Sequence, residues 1–352
     1  VLNQNLKNIH SQVLQNVSDR LHKSFKSFFT RVKNKEKAGF PRFKSKDKYN
    51  SFTYPQHGFK LDKNKLNLSK IGEINIKLHR EIKGKIKILT IKRTLTNKWF
   101  AYFSVEEEKE IKFNKPKNYI GIDVGLNSFY TDSNGNKIEN PKYLRESELK
   151  LIKTQRKLSK KNKNSRNKNK SILKLAKLHE KISNQRLDFL HKQAKILAHN
   201  YSNIAIEKLQ IKNMIKNKHL SKSINDASWN KFLQILSYKV EETGGQVIKI
   251  NPKGTSTSQY CICGNKVKKS LATRIHKCNK CGIKIDRDIM SAKLIKVIAF
   301  ENYKINRKNN IQQIEIKNTV GHTEFQACEV FPLGETMKQE PLASNNTGSS
   351  VF

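Results

Sequence analysis

Acidic residues are scarce in this chain, and a few of them lie within or beside apolar, strand-like segments. Asp123 lies in YIGIDVG, Glu207 in NIAIEKL, and Asp286 and Asp288 in GIKIDRDIMSA. Only 29 of the 352 residues are Asp or Glu. Side chains alternate between the two faces of a strand, so Asp123 should face away from its isoleucine neighbours. The glycines on either side of it would leave room there for a metal ion and a phosphate.

Carboxylates arranged in this way indicate hydrolysis of phosphodiester bonds. Two divalent ions about 3.5–4 Å apart can activate a water molecule and stabilise the leaving oxygen. Mg²⁺ prefers carboxylate oxygens and keeps some of its water ligands, so a few acids from separate segments of one sheet are sufficient. The sequence therefore predicts a site for two Mg²⁺ ions at Asp123, Glu207 and one of the pair Asp286 and Asp288. For each acid taken alone, the alternative is a carboxylate that caps a turn or pairs with a lysine.

The cysteines suggest a second metal site. Cys261, Cys263, Cys278 and Cys281 fall within 21 positions, as a C-x-C pair and a C-x2-C pair separated by 14 residues. In a reducing compartment this clustering favours metal binding over disulfides. We predict a structural four-cysteine Zn²⁺ ribbon, the alternative being a poorly closed site. The neighbouring His276 is predicted to be exposed and not a ligand.

The charge of the chain points to a polyanionic partner. Its formal net charge is +42, from 71 Lys and Arg against 29 Asp and Glu. This exceeds what solubility requires and favours nucleic acid as the partner. No segment approaches about 18 uninterrupted apolar residues or has the layout of a signal peptide. The sequence therefore predicts a cytoplasmic protein that does not act at membranes.

Two basic segments could contact a nucleic-acid backbone. GFPRFK alternates Phe40 and Phe43 with Arg42 and Lys44, and aromatic rings among cations can stack on bases, although a basic linker is an equally good interpretation. Residues 150–181 contain 13 Lys or Arg and a single acid. Such a run is usually solvated or disordered unless phosphates neutralise it.

The elements that would position these residues follow from hydrophobic periodicity. The segment 5–33 has helical spacing, and 51–107 contains short alternating runs typical of a small antiparallel barrel or sandwich. Farther along, the patterns predict strands at 119–125, 127–135, 203–209 and 247–251, a long basic helical region, and helices at about 224–242 and 288–300. This order predicts a mixed α/β core. Periodicity fades beyond about Tyr303, and the final residues are predicted to be disordered, with Cys328 a surface or packing residue.

Taken in order, several motifs resemble those of one protein family. GIDVG, AIEKL, HEKISNQRLDFLHK, SINDASWNKFLQIL, STSQYCICG, KCNKCG and DRDIMSA are similar to the motifs of the TnpB/OrfB proteins of bacterial insertion sequences. Those proteins were long described as probable transposases. They are RNA-guided DNA endonucleases associated with transposition and are related to type V CRISPR effectors.

The resemblance implies an α/β fold with an RNase H-like (RuvC) nuclease core and an inserted zinc ribbon, preceded by a helical segment and a small antiparallel β-barrel. The domains it implies are a truncated helical recognition segment at 1–37, a wedge-type barrel at 38–116, the first part of the core at 117–253 with a basic helical insertion at 144–200, the ribbon at 254–285, the last core helix at 286–303, and a disordered tail at 304–352.

The resemblance also implies roles for individual residues. Asp123 resembles the first catalytic acid of the core, Glu207 the second and Asp288 the third, while Asp286 resembles a supporting or helix-capping acid. Basic residues are expected to hold guide RNA and target DNA through their backbones, since base pairing would read the sequence. The candidates are Arg42, Lys44, Lys157, Lys160, Lys161, Lys163, Arg166, Lys168, Lys170 and Arg186. The expected partners are a guide RNA from the transposon end and a double-stranded DNA target, bound by a monomer.

Three departures from the family pattern keep other hypotheses open. Met290 replaces the usual Asn, Ile262 alone separates the first two cysteines, and the opening strand and first helices of the family are missing before Val1. An impaired relic or an RNA-guided DNA binder of the same fold is therefore the main alternative to an active nuclease. A DDE-type transposase would use similar metal chemistry, but the ribbon before the last acid favours the first two hypotheses. A ribosomal component would have no use for the three acids.

Overall fold

The structure is a computed structural model that describes residues 4–45, 48–107, 118–251, 257–270 and 272–300, together with the short strands Lys304–Ile305 and Ile314–Glu315. The chain divides into two compact units. The first comprises Val1–Glu110 and Glu146–Gln185, and the second comprises Ile111–Arg145 and Arg186–Phe352.

The first unit combines one long helix with two antiparallel sheets. A short 3-10 helix at Gln4–Asn8 precedes helix α1, and the His10 ring accepts a hydrogen bond from the backbone N–H of Gln12 at the start of α1. The elements are α1 (Ser11–Lys33), β1 (Ser51–Tyr54), β2 (Phe59–Asp62), β3 (Lys65–Leu68), β4 (Gly72–Asn75), β5 (Lys85–Arg93) and β6 (Trp99–Glu106). Strands β1, β5 and β6 form one sheet and β2, β3 and β4 the other. The antiparallel pairing predicted from the alternating runs is confirmed, whereas closure into a barrel stays a prediction.

The sheet of the second unit has five strands. They are β7 (Tyr119–Val124), β8 (Ser128–Asp132), β9 (Lys137–Glu139), β10 (Asn203–Glu207) and β11 (Gln246–Ile250). Their spatial order is β11-β10-β7-β8-β9. Strands β7, β8 and β9 pair antiparallel, while β10 is parallel to both β7 and β11. The mixed α/β core predicted from the sequence is confirmed.

Within the described residues, six further α-helices follow β9. They are α2 (Tyr143–Ser159), α3 (Arg166–Asn200), α4 (Ile211–Met214), α5 (Lys218–Ala227), α6 (Trp229–Glu241) and α7 (Arg287–Phe300). The single helix predicted at about 224–242 is wrong, because Ser228 adopts a left-handed conformation with φ of +52° and separates α5 from α6. The helix predicted at 288–300 is confirmed as α7. Within the tail at 304–352, which was predicted to be disordered, the described residues are the antiparallel strands Lys304–Ile305 and Ile314–Glu315. The rest of the tail, with Cys328, lies outside the described residues.

The two faces of the five-stranded sheet differ in how closely helices approach. Ile120, Ile122, Ile204 and Ile206 are fully buried in the large core that includes residues of α3 and α6. The other face bears small residues, Gly121 on β7 and Ala205 on β10, which pair with each other, and it packs against α7.

Gly121 does not leave room for a ligand, contrary to the expectation from the sequence. A methyl group at this position would lie 2.6 Å from the backbone nitrogen of Lys296 and would also clash with the carbonyl oxygen of Ala292. The backbone of α7 therefore fills the space above Gly121, and the glycine allows the helix to lie directly on the strand.

Gly121→Ala is expected to destabilise the protein by about 1–3 kcal/mol, because backbone atoms of α7 cannot rotate away as a side chain can. Gly39→Ala is the matched control, since a methyl group there meets nothing within 4 Å. Chemical denaturation of both variants measures the difference. Equal stabilities for the two variants would contradict the close contact between α7 and β7.

Candidate active site and metal centre

Two of the predicted catalytic acids lie side by side at the ends of adjacent strands. Parallel pairing of β7 and β10 sets Ile122 opposite Ile206. Asp123 and Glu207 are the next residues on their strands, at the carboxyl end of the sheet. Because side chains alternate along a strand, both carboxylates share the face that Gly121 presents to α7.

The third acid arrives from α7. Asp288 is the second residue of this helix, whose backbone packs against β7. The side chain of Arg287 contacts it, with 3.3 Å between Nε and Oδ1 of Asp288. The three acids that the resemblance implied as catalytic are therefore carried by β7, β10 and α7.

Asp286 has a different environment, which suits a supporting acid. Its Oδ1 accepts hydrogen bonds from the backbone N–H groups of Asp288 at 2.9 Å and Ile289 at 3.3 Å, so it caps the start of α7. Its Oδ2 accepts a 2.6 Å hydrogen bond from Lys137 on β9. Although desolvation opposes them, these interactions lower the pKa of Asp286 and keep it ionised.

The other two acids perturb the ionisation of Asp123. Desolvation, then the charges of Glu207 and Asp288, raise the pKa of Asp123 to about 7, against the opposing effects of a hydrogen bond from Ser291 and the charge of Arg287. Desolvation also raises the pKa of Glu207. Three like charges collected in this way favour the binding of divalent cations, which would supply the missing positive charge.

The donor atoms of the three acids suit Mg²⁺, which prefers carboxylate oxygens. Two of the carboxylates come from adjacent strands, and the third comes from the helix that packs against those strands. The donor set therefore fits Mg²⁺ in chemistry.

Two buried hydroxyl groups beside the acids were missed in the sequence. Thr257 Oγ1 donates to Glu207 Oε1 at 3.3 Å, and Ser291 Oγ lies 3.0 Å from Thr257 Oγ1. The Ser291 hydroxyl also lies beside the Asp123 carboxylate and opposes the rise in its pKa. Ser291 is three positions after Asp288, and this (i, i+3) spacing on one helix face was the one signal available in the sequence.

The four cysteines converge as the sequence predicted. The Sγ atoms of Cys261 and Cys281 are 3.6 Å apart, and those of Cys263 and Cys278 are 3.5 Å apart. Tetrahedral Zn²⁺ with Zn–S bonds of about 2.3 Å requires about 3.8 Å between sulfurs. The thiol groups therefore fit a structural Zn²⁺ ion, which would be held by all four.

The short C-x-C spacing is accommodated by the turn that follows it. Gly264 adopts φ of +85°, and its N–H donates to the carbonyl oxygen of Cys261 at 2.9 Å. Gly282, with φ of +75°, donates in the same way to Cys278 in the second pair. Both turns use a conformation that favours glycine, so the missing residue does not prevent the two pairs from meeting.

His276 is not exposed, and the prediction that it would be is wrong. It lies on the ribbon strand β12 (Ile275–Lys277), which pairs with β13 (Lys284–Asp286), and its side chain is fully buried. Its Nδ1 is 2.6 Å from Nζ of Lys269, and desolvation followed by the charge of Lys269 lowers the pKa of His276. A neutral imidazole can accept a hydrogen bond from this ammonium group.

Met290 links α7 to the ribbon. It is buried and belongs to a small apolar cluster with Cys261 and Cys278, against which Ile262 and Ile285 also pack. The replacement of the family's usual Asn thus joins the helix and the ribbon through apolar contact.

The predicted nucleic-acid-binding residues mostly lie on accessible surfaces. Arg42, Lys44, Lys157, Lys160, Lys161, Lys163, Arg166 and Lys170 are exposed, and Lys168 is half-buried. Nζ of Lys44 lies 4.9 Å from the ring centre of Tyr49. Those between Lys157 and Lys170 lie at the end of α2, in the following turn and at the start of α3. Their contacts with nucleic acid stay a prediction.

Arg186 differs from this group because it forms an internal ion pair. Its Nη2 donates to Oδ1 of the buried Asp226 at 2.7 Å, and the same carboxylate accepts from the backbone N–H of Leu144 at 3.2 Å. The pair thus stabilises the start of α2. A role for Arg186 in binding nucleic acid stays a prediction.

Across the described residues, no helix combines the length and apolar character needed to span a membrane.

In protein stripped of metal, stability should fall as pH rises from about 4 to about 8. The pKa of Asp123 is about 7 in the folded protein, against an ordinary value of 3.8. Between these values the folded state holds a proton that the unfolded state releases, so the stabilisation that comes from this proton is lost as pH rises through 7. Asp123→Asn should remove most of this loss, on the order of a few kcal/mol, as measured by thermal unfolding at several pH values. Asp188→Asn, at an exposed acid paired with Lys192, should leave the pH dependence unchanged. A parental pH slope in Asp123→Asn would contradict the raised pKa of this carboxylate.

Cys281→Ser should lose zinc and unfold at lower temperature, because a structural Zn²⁺ ion contributes on the order of 10 kcal/mol to small ribbons. Elemental analysis of the purified protein measures the zinc content. Cys328→Ser should retain one zinc per chain. Full zinc occupancy in Cys281→Ser would show that Cys281 is not a ligand.

Comparison with known proteins places the chain in a family. Residues 102–218 match a family model described as "Probable transposase", and residues 229–295 match one described as "Cas12f1-like, TNB domain". The "Putative RNA-guided DNA endonuclease InsQ" of Escherichia coli (strain K12) is 30% identical to this chain, over 96% of the chain and 81% of its own length. A "Putative RNA-guided DNA endonuclease" of Streptomyces pristinaespiralis is 31% identical over 82% of this chain and 72% of its own length.

Among solved structures, the cryo-EM structure of a Cas12f1–sgRNA–target DNA complex matches with a TM-score of 0.50 and 18% sequence identity. The match covers 78% of this chain and 70% of the other, and it shows similarity of fold. The relatives from Escherichia coli and Streptomyces match over most of their length, and the "Probable transposase" family model matches residues 102–218. The chain therefore belongs to the TnpB/OrfB family of insertion-sequence proteins.

Proposed function

We propose that this protein is a transposon-encoded, RNA-guided DNA endonuclease that hydrolyses DNA phosphodiester bonds with two Mg²⁺ ions. The observation that carries the proposal is the convergence of three acids from β7, β10 and α7, close enough that Glu207 and Asp288 both raise the pKa of Asp123. The two similar bacterial proteins bear the description of RNA-guided DNA endonucleases.

The topology of the second unit supports a nuclease core of the RNase H-like (RuvC) type. Its first three strands pair antiparallel in chain order, and the next two are added parallel to the first. In such a core the ends of β7 and β10 and the start of α7 meet at one point, which explains why acids so far apart in sequence act together. The cysteine ribbon lies between β11 and α7 along the chain.

In this proposal Asp123, Glu207 and Asp288 hold the metal ions, which supply an activated water and neutralise charge on the phosphate. Asp123 is the central ligand in this proposal, because its strand β7 pairs with β10 and also packs against α7. Asp286 does not bind metal. It caps α7, and with Lys137 it fixes the direction in which the helix presents Asp288.

The nucleic acids are proposed to bind through the exposed basic residues. A guide RNA paired with one DNA strand carries its sequence information in the base pairs, so the protein needs to hold the phosphates. The exposed cations between Lys157 and Lys170 suit this task because phosphate groups that bind them would neutralise their positive charge. The association of the protein with transposition follows from the same proposal.

The test is to co-express the protein with its transposon-end RNA and to measure Mg²⁺-dependent cutting of a matched DNA duplex. Asp123→Ala should reduce the rate at least ~10³-fold, equivalent to about 4 kcal/mol of transition-state stabilisation, because it removes the central ligand. Asp188→Ala, which changes an acid that is 61% exposed, should cut at the parental rate.

Each failure has a distinct meaning. Parent protein that retains RNA and binds the matched duplex without cutting it would refute the nuclease proposal and leave the RNA-guided DNA binder. Purified protein without RNA would refute guidance by RNA.

A further inference from the structure

The hydroxyl groups of Thr257 and Ser291 connect two of the proposed metal ligands. Both residues are almost fully buried, at 3% and 2% exposure. Thr257 Oγ1 donates to Glu207 Oε1 at 3.3 Å, Ser291 Oγ donates to Thr257 Oγ1 at 3.0 Å, and the Ser291 hydroxyl also lies beside the Asp123 carboxylate. The two hydroxyls thus form a continuous polar path between carboxylates on adjacent strands.

Neither hydroxyl occupies a position that the fold alone explains. A helical serine commonly bonds to the carbonyl oxygen one turn earlier, as Ser171 does with Asn167 in α3. Ser291 instead donates its hydroxyl to Thr257 and lies beside Asp123. A buried hydroxyl without a partner costs free energy, so its presence here is explained by the carboxylates that it meets.

The path also joins elements that are distant in sequence. Ser291 lies on α7 three positions after Asp288, and Thr257 begins the 3-10 helix Thr257–Gln259, four positions before the first cysteine of the ribbon, Cys261. The hydroxyl pair therefore connects β7, β10 and α7 with the entry to the ribbon.

We propose that Thr257 and Ser291 are positioning residues that orient the Glu207 and Asp123 carboxylates to receive divalent cations. The inference rests on the proposed function, since it assigns these carboxylates to the metal site. Two half-buried carboxylates side by side repel each other and would rotate apart. The Thr257 hydroxyl donates to Glu207 and restricts its rotation, and the Ser291 hydroxyl, which holds Thr257 and lies beside Asp123, limits the movement of both carboxylates before the metal arrives.

Loss of groups that orient metal ligands typically reduces metal affinity about 10- to 100-fold. Thr257→Val retains the shape of the side chain and removes the hydroxyl, and Ser291→Ala is compatible with a helix because Ala is the best helix former. Both variants should therefore fold and bind metal more weakly. Thr257→Ser, which retains the hydroxyl, should restore most of the affinity.

A matched control is available on the same sheet. Thr243 is a half-buried threonine between α6 and β11, and its Oγ1 donates to the backbone oxygens of Ala198 and Val240. It precedes β11 and so lies at the opposite end of the parallel strands from Glu207. Thr243→Val removes a comparable hydroxyl and should leave metal affinity unchanged.

The experiment measures the dissociation constant of Mn²⁺ from the protein–RNA complex, by electron paramagnetic resonance of the free ion. It compares the parent, the variants and Asp123→Ala, which serves as a reference without the site. The same set is tested for the Mg²⁺ concentration that gives half-maximal cutting. Thr257→Val and Ser291→Ala should raise the Mn²⁺ dissociation constant and the Mg²⁺ concentration for half-maximal cutting about 10- to 100-fold. The rate of cutting at saturating Mg²⁺ should recover to within about 10-fold of the parental rate.

The outcomes separate this inference from the function on which it rests. Variants that bind Mn²⁺ as tightly as Thr243→Val would overturn the positioning role, even if the parent cuts DNA. Variants that lose cutting with no change in Mn²⁺ affinity would also overturn the positioning role. A parent that binds Mn²⁺ but does not cut DNA would refute the nuclease function, and the Mn²⁺ affinities would still decide the role of the hydroxyl pair.

Discussion

The direct contact between α7 and β7 is the constraint on which the candidate active site depends. Gly121 has no side chain, so the helix backbone rests on the strand. That closeness brings Asp288 and Ser291, on the first turns of α7, to the end of the strand that carries Asp123. A larger residue at 121 would move the helix away and separate the carboxylates, because the opposing atoms belong to backbone.

The ribbon and the site are mechanically connected through the same helix. Cys281 and Asp288 are seven positions apart, and β13 between them leads directly into α7. Met290 packs against the ribbon cysteines while Asp286 caps the helix and bonds Lys137. A folded ribbon therefore determines where α7 begins, and the beginning of α7 determines where Asp288 lies. This explains why a structural metal would matter to chemistry in which it takes no part.

Sequence patterns predicted the elements well where the signal was local. Asp123 and Glu207 are recognisable because isoleucines alternate around them, and the cysteine spacing indicates their convergence without a structure. The break at Ser228 was missed because an amphipathic pattern continues across it and no glycine or proline marks it. The burial of His276 depends on Lys269 and on strand pairing in the ribbon, neither of which has a periodic signature.

Contacts between distant segments were the least predictable part. Thr257 meets Glu207 across 50 positions and Ser291 across 34, and a threonine or a serine is too common in sequence to indicate such a role. Space beside Gly121 was predicted for a ligand, but a helix that follows 166 positions later fills it. A glycine in a strand indicates close approach, and the sequence alone does not say whether a ligand or a backbone approaches.

The distribution of charge along the chain also bears on the proposed function. The chain carries a net charge of +42, yet its second unit gathers three carboxylates at one point. A phosphate group would be repelled from these acids if they were ionised and alone, whereas it would be attracted once divalent cations neutralise them. The exposed lysines and arginines can attract nucleic acid at long range, but they do not discriminate a phosphate to be cut from any other. In the proposed function, selection of the phosphate that is hydrolysed therefore requires metal at the acids. For this reason the groups that orient Asp123 and Glu207 matter as much as the overall positive charge.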